Sequence, residues 1–307
     1  MNFIEQLIQS IKEKRSVVCM GLDPRIENDG EIPKYLIEEL EDPNKIILEF
    51  NKTLIENTFD LIPIIKPQIA FYEKYDALTA LKETIKFAHK HDLLVILDSK
   101  RNDIASTSKA YADATFQLYN ADACTLNAYF GIDGIRPYLD YYKDRGLFIL
   151  VKTSNPSSKD FQDLFSASIR EEIDSKIQVE VTNITLERNY IQMAKLVYNW
   201  ARDLPKFSGF HNLGVVVGAT YPEQLKKVRD LVKDSFILMP GYGAQGAQAK
   251  DLKYAFLKNG LGGIVNSSRG IIYAYNKSKE YSPHEFEAAA RNEIINMNRI
   301  INKEFKL

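Results

Sequence analysis

The sequence predicts a (β/α)8 barrel of the TIM type, and three observations carry that reading. Eight apolar runs alternate with helix-period segments along 307 residues. The runs are continuous rather than alternating, which marks strands buried on both faces, as in a parallel sheet flanked by helices. Each run starts apolar and ends polar, and in such a barrel the C-terminal strand ends carry the active site.

The elements follow in chain order. MNFIEQLIQSIKEKR is an amphipathic helix with Phe3, Ile4, Leu7, Ile8 and Ile11 on one face. It mixes acids with bases and has no continuous apolar centre, so it does not read as a signal peptide. The expected strands are 17–24, 61–68, 93–100, 123–129, 146–154, 212–220, 236–243 and 262–270. Helical periodicity covers 34–59, 74–91, 106–119, 132–142, 187–202, 222–233, 246–258 and 283–303. An open doubly wound sheet is the alternative, and the first strand argues against it by ending in GLDP rather than in a G-x-G-x-x-G helix start. Residues 155–186 break the rhythm. They begin NPSSKDFQDL and include KIQVEVTNITL, which alternates like a hairpin. Loops this long are usually functional, and a lid over the barrel mouth and a peripheral elaboration are both open readings. No linker or fixed-length repeat appears, so residues 1–307 are expected to form one domain.

Apolar residues make up 45% of the chain and charged residues 26%, as in soluble globular proteins. A net charge of −1 with no basic half argues against nucleic acid as a partner. No run is long enough to span a membrane, and a cytoplasmic location is expected. Cys19 and Cys124 sit in strand-like runs and read as reduced core residues. His89 and His91 fall at a helix end and are expected at the surface, capping carbonyls. No metal-ligand spacing and no nucleophile-elbow motif is present.

The chemistry concentrates in DSKRNDIASTS, residues 98–108, directly after the apolar LLVIL. Asp98 and Lys100 are two apart on a strand and so share a face, which at a strand end is the barrel mouth. Lys66 ends the neighbouring strand, and Asp103 opens the next helix. Neighbouring carboxylates favour a lysine's charged form, and a charged lysine is a general acid rather than a nucleophile. A second constellation suits phosphate. PGYGAQG (240–246) and GIVNSSRG (263–270) follow the seventh and eighth strands, where such barrels bind phosphate. Glycines admit backbone N–H groups to an anion, and Arg269 can grip it with two donors.

In this order, GLDPR, KPQIAFYE, LDSKRNDIASTS, VKTSNPSS, VGAT, PGYGAQG and NSSRG closely resemble orotidine 5′-phosphate decarboxylases of the longer variety with an extended fifth loop. The likeness runs from about residue 17 to residue 271. It implies orotidine 5′-monophosphate as substrate, UMP and carbon dioxide as products, a homodimer, and no metal or organic cofactor. By motif it makes Lys66, Asp98, Lys100 and Asp103 the charged catalytic array, with Lys100 protonating C6 and Asp98 beside the departing carboxylate. It implies that Asp103, Ile104 and Thr107 enter the partner subunit's site. Asp23 and Lys66, with Thr107, would hold ribose hydroxyls, and Ser154 would bond the pyrimidine edge. Gln245 and Arg269, with backbone near Gly243 and Ser268, would hold the phosphate. Whether orotate phosphoribosyltransferase is a partner is left open.

Two other readings are open. One is a magnesium-dependent relative with the same D-x-K-x-x-D core, such as a hexulose-phosphate synthase-like aldolase or a ketogulonate-phosphate decarboxylase. Such a site needs additional carboxylates and often a histidine at a strand end, which this chain does not offer. The other is a nucleotide-binding barrel without catalysis, for which a costly charge cluster would have no use.

Overall fold

Eight parallel strands close on themselves in a computed structural model that describes residues 1–27, 31–167, 185–243 and 248–305. They are β1 (Val18–Leu22), β2 (Ile64–Pro67), β3 (Leu94–Arg101), β4 (Ala123–Leu126), β5 (Gly146–Lys152), β6 (His211–Val217), β7 (Ser235–Pro240) and β8 (Gly263–Ser267). Each neighbours the next in sequence, and β1 pairs with β8 to complete the (β/α)8 barrel. All eight expected strands are present. Their burial is nearly continuous, as the unbroken apolar runs require of strands covered on both faces.

The N-terminal helix, Phe3–Lys14, packs against the bottom of the barrel. Asn2 and Glu5 form a reciprocal capping box at its start. Its apolar face is buried, and Phe3 meets Phe148 of β5 edge to face at 6.1 Å. Gly146 leaves room for that ring, since a Cβ there would fall 2.3 Å from it. Phe3 N also donates to the Asp144 carbonyl and Ile4 N to Asn212 Oδ1, so the helix lies at the starts of β5 and β6, opposite their polar ends.

Three helical expectations needed correction. The segment 34–59 is two helices, Lys34–Leu40 and Pro43–Thr58. Asp42 caps the second by accepting from Lys45 N, and Pro43 sits where its missing N–H costs nothing. A short helix, Ile69–Lys74, also follows β2 directly, ahead of Leu78–Lys90, with the Gln68 side chain accepting from Ala70 N. The segment 246–258 contains a 3-10 helix, Ala249–Ala255, among the described residues. His89 is not a carbonyl cap: it is half-buried and its Nε2 lies 2.9 Å from Asp122 Oδ2. Both cysteines are free and buried.

The extended connection after β5 is present, since the next long helix begins only at Asn189. It starts with a 3-10 turn, Pro156–Asp160, and includes a two-residue antiparallel pair, Phe165–Ser166 with Glu187–Arg188. The alternating KIQVEVTNITL lies outside the described residues except for its last two positions. No described helix is long and apolar enough to cross a membrane.

Candidate active site

Strand register gathers the charged residues at one level of the mouth. Gly21 of β1 pairs with Lys66 of β2, Met20 pairs with Ser267 of β8, and Gln68 bridges to Asp98 of β3. The Asp98 carboxylate therefore sits between two ammonium groups. Lys66 Nζ donates to its Oδ2 at 2.6 Å, and Lys100 Nζ donates to its Oδ1 at 2.6 Å. Thr125 Oγ1 of β4 donates a third bond, at 2.7 Å, to Oδ1.

The two ammonium groups stand in different surroundings. The Lys66 side chain is 5% exposed and that of Lys100 is 44% exposed. Lys66 is the buried anchor, and Lys100 is the member that an incoming molecule can reach. The backbone contributes to this placement. Leu97 pairs with Cys124 but Arg101 pairs with Leu126, so β3 bulges across residues 98–100. Lys100 there has a φ of 49°. A left-handed lysine costs about 1 kcal/mol or more. Thr125 offsets part of that cost, because its Oγ1 also accepts from Lys100 N at 3.1 Å. Strand alternation anticipates the meeting of Asp98 and Lys100, whereas the bulge that produces it has no signature in the motif.

Burial alone would raise the Asp98 pKa, but the Lys66 and Lys100 charges and their hydrogen bonds hold it well below the usual carboxylate range. Burial would likewise lower the Lys66 pKa, and Asp98 with Asp23 drives it above the ordinary lysine value instead. A carboxylate whose pKa is depressed on folding contributes stability above its unfolded value, about 4, and loses it as pH falls further. The thermal midpoint of the native chain, measured relative to Asp98→Asn, should therefore be flat with pH above about 4 and decline below it. A difference that rises on acidification would contradict the pairing.

Asp23 follows β1, and its Oδ1 is buried with no hydrogen-bond partner, while its main-chain carbonyl accepts from Tyr273 Oη at 3.0 Å. Asp103 stands apart from the cluster. Its Oδ1 accepts from Ile104 N at 2.8 Å, and no ion pair joins it to Lys66 or Lys100 among the described residues. Ile104 is 56% exposed, and Thr107 lies exposed on the helix Ala105–Asp113.

Around the rest of the mouth, Ser154 follows β5 and packs on Gly218 after β6. A Cβ at Gly218 would fall 2.9 Å from Ser154 Cα. Ser268 and Arg269 follow β8. The Ser268 side chain occupies the space that a Cβ on Gly21 would take, at 1.9 Å from Oγ. Arg269 is exposed at the start of the helix Arg269–Ile272. Gly243 is exposed with a φ of 70°, and Gln245 lies outside the described residues. Among the described residues no cluster of three His, Cys, Asp or Glu side chains is arranged to hold a metal.

Sequence comparison places the chain in a family. The family model described as orotidine 5′-phosphate decarboxylase / HUMPS matches residues 16–282. The chain belongs to this family. It is 38% identical to an orotidine 5′-phosphate decarboxylase of Caldicellulosiruptor saccharolyticus, with 94% of each chain covered. It is 37% identical to the protein of that name from Petrotoga mobilis, with 98% of each covered. Among solved structures it resembles the OMP decarboxylase of Leishmania donovani, with a TM-score of 0.76 at 29% identity over 100% of both chains. The UMP synthase of Leishmania donovani gives a TM-score of 0.74 at 30% identity, and this chain spans 57% of that one.

Two buried polar side chains around the mouth were not among the sequence-derived candidates. Thr125 binds both Asp98 and the Lys100 backbone, yet threonine is common in strands and nothing in ACTLNAY marks it. Lys152, at the end of β5, is completely buried. The polar end of its strand was visible, but its partners lie in the long loop.

Proposed function

We propose that the chain decarboxylates orotidine 5′-monophosphate to UMP and carbon dioxide, the last step of de novo UMP synthesis. One observation carries the reading: a single carboxylate, Asp98, bound at 2.6 Å by both a buried and an accessible ammonium at the barrel mouth. Loss of carbon dioxide from C6 leaves an electron pair in the plane of the ring, out of reach of its π system. Stabilisation must then come from fixed charge beside C6. Lys100 supplies that charge and then the proton. Asp98 holds Lys100 in place and faces the departing carboxylate. Lys66 fixes Asp98 from behind.

The remaining roles surround that centre. Asp23 and Lys66, with Thr107, hold the ribose hydroxyls, and the unpartnered buried Oδ1 of Asp23 suits such a hydroxyl. Ser154 bonds the pyrimidine edge. Gln245 and Arg269, with the backbone near Gly243 and Ser268, bind the phosphate. That group is remote from C6, and its binding energy orders the site around the reacting atoms. No residue in this scheme calls for a metal or an organic cofactor.

The working unit in this reading is a homodimer in which Asp103, Ile104 and Thr107 complete the partner's site. Two observations support it: Asp103 has no ionic partner in its own chain among the described residues, and Ile104, Tyr129 and Phe130 are exposed by 56%, 75% and 52%. Exposed apolar side chains of this size mark contact surfaces. The reading takes residues 1–307 as one domain and places it in the cytoplasm, in keeping with two free cysteines.

The test is the near-ultraviolet absorbance of orotidine 5′-monophosphate with the enzyme and EDTA present. The orotate band should fall as UMP forms. No change would reject the reading, and turnover of a sugar phosphate with magnesium, lost on adding EDTA, would then move it to a magnesium-dependent relative. Arg269→Ala should raise KM by at least ~30-fold, from the roughly 2 kcal/mol of a charge-assisted hydrogen bond, with kcat far less affected. An unchanged KM would remove Arg269 from the phosphate site.

A further inference from the structure

Lys152 closes β5 with no exposed surface, and none of the chemistry above uses it. Lysine is almost never fully buried unless it is paired. Its Nζ donates to Ser158 Oγ at 2.8 Å and to Asp163 Oδ2 at 3.0 Å. It also lies 4.7 Å from the ring centroid of Tyr221. Ser158 and Asp163 belong to the connection leaving β5, while Tyr221 precedes the helix Pro222–Leu231 that follows β6. One ammonium thus fastens two connections to the end of one strand, by hydrogen bonds on one side and a cation–π contact on the other.

Other bonds brace the same arrangement. Gln162 Oε1 accepts from Thr153 N at 2.9 Å, and Gln162 Nε2 donates to Thr153 Oγ1 at 2.8 Å. Arg188 donates to the Asp163 carbonyl at 2.6 Å. The Lys152 carbonyl accepts from Gly218 N at 2.7 Å. Ser154 lies inside this brace, two residues beyond Lys152, with its backbone pressed against Gly218.

We infer that Lys152 is a positioning residue that sets Ser154 toward the bound pyrimidine by clamping residues 156–163 and Tyr221 to the end of β5. This rests on the reading of Ser154 as a substrate contact. The group that Lys152 orders is a neutral hydroxyl on a loop, and a loop contact is only as good as the elements that fix it. Loss of the ammonium would also leave the Asp163 carboxylate without its cation, while one Asp163 oxygen is already buried without a partner.

The experiment is a double-mutant cycle on UMP affinity, read by calorimetry for the native chain, Lys152→Met, Ser154→Ala and the double variant. Lys152→Met should weaken UMP binding by about tenfold, the size of one lost hydrogen bond. In that background Ser154→Ala should cost clearly less than it does alone, because the hydroxyl is already displaced. Asp163→Asn keeps the shape, removes the counter-charge, and carries the same cycle should Lys152→Met not fold. The inference is overturned by equal costs of Ser154→Ala in both backgrounds, or by native-like UMP binding in the position 152 and 163 variants. It also falls if Ser154→Ala alone leaves UMP binding unchanged. In that case, turnover of orotidine 5′-monophosphate by the native chain, measured alongside, still stands for the decarboxylase reading.

Discussion

Lys100→Ala is expected to lower kcat by at least ~10⁴-fold while UMP still binds. The size follows from two contributions, the fixed charge that stabilises the forming carbanion and the proton delivered to it, each worth roughly 10²-fold or more. The fold should survive the change. Lys100 is the exposed member of the cluster, and the buried Asp98 keeps its bonds to Lys66 and Thr125. Asp98 would not be left as an orphaned buried charge, the situation that most destabilises a protein when one partner is removed. Single-turnover measurements separate the loss in the chemical step from any change in binding. Turnover that persists at the native rate would sink the assignment of Lys100 as acid and of the cluster as catalytic.

Lys66→Ala should behave differently although the two lysines contact the same carboxylate. It would leave Asp98 buried beside one half-exposed partner, so stability should fall along with turnover. The contrast follows from burial: the side chain of Lys66 is 5% exposed and supports the buried carboxylate, while that of Lys100 is 44% exposed.

The legible parts of this chain are those written in local pattern. The eight strands could be read because burial on both faces leaves a continuous apolar run, and the mouth could be read because each run ends polar. Helix boundaries were less legible where a local competitor intervened. Asp42-Pro43 divides one periodic stretch, and Gln68 caps a short helix, Ile69–Lys74, directly after a strand. Lys66, Asp98 and Lys100 were found because charge at the end of an apolar run is conspicuous. Thr125 and Lys152 were missed because what they do depends on how the chain folds back: Thr125 meets Asp98 on β3, and Lys152 meets Asp163 in the long connection and the ring of Tyr221. The bulge at Lys100 is likewise a property of strand pairing, which no short stretch of sequence encodes.

Asp103 provides the second large effect, because in its own chain its carboxylate bonds only the neighbouring Ile104 N–H among the described residues. If it completes the partner's array, Asp103→Ala homodimers and Lys100→Ala homodimers should both be nearly inactive. Mixing them under conditions that let subunits exchange should restore activity. In a heterodimer, one site combines the Lys100 of the Asp103→Ala chain with the Asp103 of the Lys100→Ala chain and is intact. The other site lacks both. Random exchange of equal amounts makes half the dimers heterodimers, so recovery should approach about a quarter of native activity. Recovery should track the heterodimer fraction measured with differently tagged subunits. Full exchange without recovery would mean that Asp103 acts within its own chain. The loop from Asn102 to Ala105 would then have to turn inward, away from its bond between Asn102 Oδ1 and Phe130 N at 3.0 Å. That bond holds the loop beside the exposed Tyr129 and Phe130, on the surface where a partner subunit would receive it.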